Sequence, residues 1–318
     1  MTNLAPLHVV AGVVRNAQGD ILLARRHPTK EHGDLWEFPG GKREVGEQPE
    51  ETLVREFKEE VDITIQRAHP LIRIRHTYTH REVLLDVWSV EQFSGKAWGR
   101  EGQPIEWCAP HLLRTKTFPA ANYPVITAAL LPAVYLITAE PLKRNDPKFF
   151  YQLERNLEQG IQLLQFRSSF LDAHEYCYCA EKILTICEPY KVQVLAYTTP
   201  AIALSVGVHG VHLQQADLLQ LVERPLKKDL WVAASCHTPD DIKQAQTIDL
   251  DFVTLSPIRA TSNALGWLTF FTQTEQAKIP VFASGGLQYQ DIGFAWAHGG
   301  QGIAGQKKIW DSTMHPIN

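Results

Sequence analysis

The stretch Gly40–Ile63, GGKREVGEQPEETLVREFKEEVDI, places a glycine pair ahead of a short helix loaded with carboxylates. Pro49 suits a first helical turn, and Glu50 and Glu51 complement the positive end of the helix dipole. Glu56, Glu59 and Glu60 follow at i, i+3 and i+4, a spacing that brings their side chains onto one face. Leu53, Val54, Phe57 and Val61 form an adjoining apolar stripe able to dock on a sheet. Like charges at this spacing cost roughly a few tenths of a kcal/mol per pair in an isolated helix, so a cation among them is the better explanation. Oxygen-only clusters of this kind suit Mg²⁺ or Mn²⁺, which bind carboxylates together with substrate phosphates. An acidic helix face by itself is most often solvated surface; the fixed spacing from the glycines argues against that here. Asp62 stands where the helix should end, a place where a left-handed backbone favours glycine. Asp tolerates that conformation better than most residues, but its charge is unfavourable at the negative helix end.

Outward from the helix, HVVAGVV from His8 to Val14 reads as a buried strand, with Ile21–Ala24 as its partner across the Asn16–Asp20 turn. Downstream, RIRHTY, EVLLDVWSV and EWC are strand-like, so the first part of the chain is mixed α+β. After Thr117 come three prolines and one short helix, which sets a domain boundary near Leu131–Pro132 and domains of 1–131 and 132–318. Beyond it the pattern becomes regular alternation. VYLIT, IQLLQFR, VQVLAYT, GVHLQ, WVAASCH, FVTLSP, PVFASGG and GQGIAG are separated by helix-like segments such as FFYQLERNLEQG and PDDIKQAQ. Strands alternating with helices in this number predict a small (β/α)₈ TIM barrel, with a doubly wound open sheet as the alternative.

Composition bounds the function. The 318 residues are 44% hydrophobic and 21% charged with net charge −4, enough for two packed cores and no whole-chain affinity for nucleic acid or membrane. Cys108, Cys177, Cys179, Cys187 and Cys236 show neither a disulfide framework nor a zinc spacing, and read as core thiols in a reducing compartment. Asn3 and Pro6 interrupt any leader-like run, and no apolar run is long enough to span a bilayer. The expectation is a cytoplasmic protein, its oligomeric state left open.

Gly41, Glu47, Arg55-Glu56, Phe57, Glu59-Glu60, Asp62 and Ile63 together resemble the Nudix box. The resemblance implies a loop–helix–loop that binds divalent metal and cleaves nucleoside diphosphates linked to another group. It gives Glu56, Glu59 and Glu60 as metal ligands, with the Gly40 carbonyl adding an oxygen, and Glu47 paired with Arg55 as a structural brace. Phe57 departs from the usual aliphatic residue and asks for a roomier pocket; Asp62 departs from the usual glycine and is expected to cost modest stability. ILLARR, LWEFPGG, AWGREGQP and FPAANYPVI extend the resemblance, over residues 8–126, to the MutT branch, the 8-oxo-dGTP diphosphatases. This implies Arg25 and Phe38 at the nucleotide, Glu101 among the metal or base-assisting carboxylates, and Asn122 as reader of the purine. An amide donates to O6 and accepts from N7–H of 8-oxoguanine at once, a pattern normal guanine cannot match. The implied reaction is Mg²⁺-dependent hydrolysis of 8-oxo-dGTP to 8-oxo-dGMP and pyrophosphate. The partner is a nucleoside triphosphate rather than nucleic acid or membrane.

The second half, from VYLIT through LLQFR, GVHLQQADL, SCH, SPI and ASGGL to GIAG, resembles thiamine phosphate synthase over residues 134–310. That family is a (β/α)₈ barrel joining a pyrimidine pyrophosphate to a thiazole phosphate, with Mg²⁺ on the pyrophosphate. Gln165, Arg167, Asp217 and Ser235 fit its pattern, and Gly285 and Gly286 sit where such barrels bind phosphate. The departures fall on the chemistry. Ser169 stands for a lysine, Tyr197-Thr198 for an Asn-Asp pair that holds pyrophosphate and Mg²⁺, and RATSNALGW for a loop rich in threonine and lysine. The barrel therefore reads as degenerate. The alternative is a bifunctional or thiamine-linked protein, whose first half hydrolyses another pyrophosphate compound and whose barrel binds or makes a thiamine phosphate.

Overall fold

The computed structural model describes residues 6–29, 33–78, 81–259 and 262–312. Asn3, and Ala260 and Thr261 of the RATSNALGW loop, lie outside these described residues. The chain divides into two compact units, Met1–Leu130 and Leu131–Asn318.

Among the described residues, two small sheets, two α-helices and two short 3₁₀ helices make the first unit. β1 (Leu7–Val14), β4 (Gly40–Lys42), β5 (Thr64–Tyr78) and β6 (Arg81–Ser94) form one sheet in the order β4-β1-β6-β5. β2 (Ile21–Arg25), β3 (Trp36–Glu37) and β7 (Ile105–Cys108) form the other, ordered β3-β2-β7. β1 and β6 run parallel, and every other pairing is antiparallel. Because strand side chains alternate, β1 feeds two cores. Val10 and Val14 pack with Leu53, Phe57 and Val61 of and just beyond α1 (Pro49–Glu60). Ala11 and Val13 pack with Val125, Ile126 and Ala129 of α2 (Tyr123–Leu130). A strand covered on both sides must read as a continuous apolar run, as HVVAGVV does.

Val54, expected in the apolar stripe of α1, is exposed; Thr52 is buried instead, its hydroxyl bonded to Glu47 Oε2 at 2.7 Å. Phe57 finds its room in Gly12 of β1, where an added Cβ would stand 2.7 Å from the ring. β5 is longer than RIRHTY suggested. Pro70 interrupts the pattern, and the strand carries it through register shifts at a sheet edge, where a missing N–H is tolerated.

In the second unit β8 (Val134–Ile137), β9 (Leu163–Phe166), β10 (Gln193–Ala196), β11 (Gly210–Leu213), β12 (Trp231–Cys236), β13 (Phe252–Leu255), β14 (Val281–Ser284) and β15 (Gly302–Gly305) close a parallel barrel, β15 pairing with β8. Closure excludes the open sheet. Alternate strand residues point inward, and Tyr135, Leu163, Leu195, Phe252 and Phe282 fill the interior; the others pack outward on helices. Those helices are α3 (Pro147–Glu158), α4 (Ala173–Cys187), α5 (Pro200–Val206), α6 (Gln215–Leu218), α7 (Pro239–Thr247), α8 (Gly266–Thr274), α9 (Ile292–Ala297) and α10 (Lys307–Trp310). Asp146-Pro147, Thr199-Pro200 and Thr238-Pro239 each place a capping side chain before a proline at the first helical position. The cysteines are free thiols and all but Cys177 are buried. Among the described residues no helix is long and apolar enough to cross a membrane.

Candidate functional site

The first site is built around the loop between β4 and α1. Gly40 has φ of +150°, and a Cβ there would lie 2.1 Å from the Val10 carbonyl oxygen. A Cβ on Gly41 would lie 2.2 Å from the Glu56 carboxylate. The glycine pair thus lets β4 press against β1 and leaves space for a carboxylate over the backbone. Arg55 Nε and Nη2 grip Glu47 Oε1 and Oε2 at 2.7 and 2.9 Å, and Nη2 also donates to the Lys42 carbonyl at 3.1 Å. With the Glu44 N–H and the Thr52 hydroxyl also donating, the Arg55 hydrogen bond first of all holds Glu47 down at about 2.

Glu60 is the electrostatic focus. Its Oε2 accepts the Gly40 N–H at 2.9 Å, yet burial, followed by the negative charges of Glu37, Glu101 and Glu56, pushes its carboxyl up to about 7. The structure therefore brings Glu56, Glu60 and Glu101 into one field. Glu59 stands apart, exposed, with Oε2 3.3 Å from Arg55 Nη1. The same nitrogen lies 2.8 Å from Glu56 Oε1. Among the described residues no three acidic, imidazole or thiol groups already converge as a cation cage; Glu56 and Glu59 turn to the Arg55 guanidinium instead. A hard divalent cation fits this donor set: all oxygen, carboxylate-rich, with one proton affinity raised first by burial and then by neighbouring negative charge that a cation would offset. Gly40 meets the site through its N–H.

Glu37 was missed in the sequence, lying inside LWEFPGG with no spacing rule to flag it. β3 brings it to Glu60, and Arg26 pairs with it. Arg25 is half-exposed, its Nη2 3.6 Å from Asp34 Oδ1. Phe38 is a buried core residue with its ring stacked on Phe118, centroids 5.7 Å apart. Asn122 closes a short 3₁₀ turn, Ala120–Asn122, its N–H donating to the Pro119 carbonyl. Its half-buried side-chain amide has no partner among the described residues. Asp62 has φ of +57°; Lys58, then the Trp98 indole, hold its carboxyl below the usual range.

The barrel mouth is a second site. Gln165 and Ser235 stand one inward position above the apolar interior, Gln165 only 2% exposed. His212, not singled out in the sequence, joins them. Its Nδ1 lies 3.1 Å from the Tyr135 hydroxyl and its Nε2 3.0 Å from Ser235 Oγ. Burial, then the Arg167 charge, push this imidazole down to about 3. Arg167 lies over the Tyr197 ring, 5.1 Å from its centroid, with Nε 3.5 Å from Glu140 Oε1. Ser169 donates both its N–H, at 3.0 Å, and its hydroxyl to Glu140 Oε2. Asp217 is exposed on α6 and acts electrostatically on Tyr197. Gly285, φ +95°, has a structural reason of its own, since a Cβ would stand 2.8 Å from Pro257 Cα. The Gly286 carbonyl accepts from Lys308 Nζ at 3.0 Å.

Residues 10–128 match the family described as NUDIX domain, and residues 134–309 the one described as thiamine monophosphate synthase. An 8-oxo-dGTP diphosphatase of Escherichia coli K12 is 41% identical over 120 residues, covering 38% of this chain and 93% of that one. A putative thiamine-phosphate synthase 2 of Aquifex aeolicus is 32% identical over 180 residues, 55% of this chain and 96% of that one. A CTP pyrophosphohydrolase of E. coli K12 is 32% identical over 122 residues, 38% of this chain and 90% of that one.

Proposed function

This chain belongs to the NUDIX family through its first unit and to the thiamine monophosphate synthase family through its second, and from that premise we propose that the first unit hydrolyses 8-oxo-dGTP to 8-oxo-dGMP and pyrophosphate. The cell would gain a nucleotide pool cleared of a mispairing base. The observation that carries the substrate is the half-buried amide of Asn122, which is uncommitted among the described residues and not used up on its own backbone as turn asparagines often are. Such an amide satisfies O6 and N7–H of the oxidised base together and leaves a group unpaired against dGTP, at a cost of about 1–3 kcal/mol.

Glu56, Glu59, Glu60 and Glu101, with a Gly40 oxygen, are the groups that would hold Mg²⁺ or Mn²⁺. Bound there, the cation supplies charge neutralisation along the phosphates and an acidified water. The chain's own part is to fix these oxygens. The Glu47–Arg55 pair braces the loop, Gly40 orients Glu60, and the buried helix stripe sets the rest. Arg25 is assigned to the nucleotide's anionic part, and Phe38 with Phe118 to the apolar wall behind the base.

For the barrel, the residues do not fit the metal–pyrophosphate chemistry of its family. Tyr197 and Thr198 offer no carboxylate, and Arg167 and Ser169 are both engaged with Glu140. We read this unit as catalytically degenerate, and a full-length chain that joins a pyrimidine pyrophosphate to a thiazole phosphate would overturn that. Retained Asp217 and Ser235 support the alternative, a barrel that still binds a thiamine phosphate.

The test is kcat/KM of the full-length chain with Mg²⁺ on 8-oxo-dGTP, dGTP and CTP. A preference of at least about tenfold for the oxidised nucleotide is expected, most of it lost in Asn122→Ala. Equal values for 8-oxo-dGTP and dGTP would leave a hydrolase without the sanitising role. A preference for CTP would move the substrate to that of the pyrophosphohydrolase relative.

A further inference from the structure

The last turn of a helix leaves carbonyls with no partner inside the helix. At the end of α1 three such carbonyls are taken by one distant loop. The Val61 carbonyl accepts the Trp98 N–H at 3.1 Å, and the Glu60 carbonyl accepts the Arg100 N–H at 3.0 Å. The Gln103 side-chain amide donates to the same Glu60 carbonyl at 2.9 Å, and Arg100 Nη1 to the Lys58 carbonyl at 2.9 Å. Glu101 lies inside this loop, its N–H bonded to Gln103 Oε1 at 2.9 Å. The segment that closes the helix is therefore the one that carries Glu101, whose negative charge acts on Glu60.

Asp62 adds a tie through its own side chain, beside those of Arg100 and Gln103. Its Oδ1 takes Lys58 Nζ at 2.7 Å from the helix, and its Oδ2 takes Trp98 Nε1 at 3.1 Å from the loop. The strand end follows closely as well, since a Cβ on Gly95 would stand 2.9 Å from the Asp62 carbonyl oxygen. Asp holds this place with φ of +57°, a conformation glycine adopts without strain, and with its charge at the unfavourable end of the helix. As a mere helix stop glycine would serve better. We infer that Asp62 is a positioning residue: through Lys58 and Trp98 it fastens the Trp98–Gln103 loop to the end of α1 and so fixes Glu101 against Glu60. The inference rests on the hydrolase reading, in which those two carboxylates share the divalent cation.

Asp62→Gly, Asp62→Asn and Trp98→Phe in the full-length chain test it. Three readouts apply: hydrogen exchange of the Trp98–Gln103 loop in metal-free protein, Mn²⁺ affinity by paramagnetic resonance, and the split between kcat and nucleotide KM. Asp62→Gly and Trp98→Phe are expected to speed loop exchange, weaken Mn²⁺ binding about tenfold and lower kcat with KM unchanged. Asp62→Asn keeps an acceptor for the indole and should restore most of each. The double change Asp62→Gly/Trp98→Phe should be no worse than either single one, because both cut the same tie. Wild-type loop exchange and Mn²⁺ affinity in Asp62→Gly would overturn the positioning role. A wild-type chain that neither binds Mn²⁺ nor turns over a nucleotide would instead overturn the hydrolase reading beneath it.

Discussion

At neutral pH His212 is an uncharged imidazole enclosed between Tyr135, Ser235 and the ring of Tyr197, with Arg167 nearby. Its folded proton affinity lies far below its unfolded one. The stability it contributes is therefore present above about pH 6.5, the unfolded value, and is lost as pH falls toward the folded value of about 3. Urea unfolding of the barrel should show a loss of about 2 kcal/mol from this group between pH 7.5 and pH 5. His212→Gln should flatten that slope, and an unchanged slope would deny the buried neutral state. In the first unit, Glu56→Gln keeps a polar side chain beside Arg55 but removes a carboxylate from the field around Glu60. We expect kcat to fall at least about a hundredfold with the melting temperature nearly unchanged; a fully active variant would remove Glu56 from the metal site. The residues of this site were unequally legible. Glu56, Glu59 and Glu60 follow from helical spacing, whereas Glu37 and His212 become visible only when strand pairing delivers them to their neighbours.

At the scale of single elements, α1 docks on β1 because one strand residue is missing a side chain. Gly12 leaves the space that the Phe57 ring fills. Gly12→Ala should therefore destabilise the first unit by about 1–3 kcal/mol through overpacking. The smaller Phe57→Leu side chain in the Gly12→Ala background should recover most of that, measured by denaturant unfolding of the two single changes and the pair. Additive losses would mean that the two positions do not share the space. The helix itself was readable from Pro49, the acidic first turn and the apolar period. Its exposed Val54 and buried Thr52 were not, because a four-residue stripe does not say which edge of it the sheet covers. β5 escaped in part for a similar reason: Pro70 reads as a stop, and only its place at a sheet edge lets the strand run through it.

For the whole molecule, each unit has its own closed set of cores, divided between Leu130 and Leu131. A fragment ending at residue 131 is expected to be soluble and as active on nucleotide as the full chain, and the full chain to unfold in two transitions. A fragment that precipitated would show a core shared between units. The sequence by itself determined what is written in local periods and fixed spacings: the Nudix loop and helix, the eight alternating strands and helices, and the proline-capped helix starts. Those features need only neighbours along the chain. Tertiary structure alone decided which further distant groups meet: Glu37 at Glu60, Trp98 at Asp62, and Tyr135 with His212 and Ser235 inside a closed barrel. Glu37, Tyr135, His212 and Ser235 are delivered by strand register and sheet closure, and a one-residue slip in register would turn these strand side chains to the opposite face.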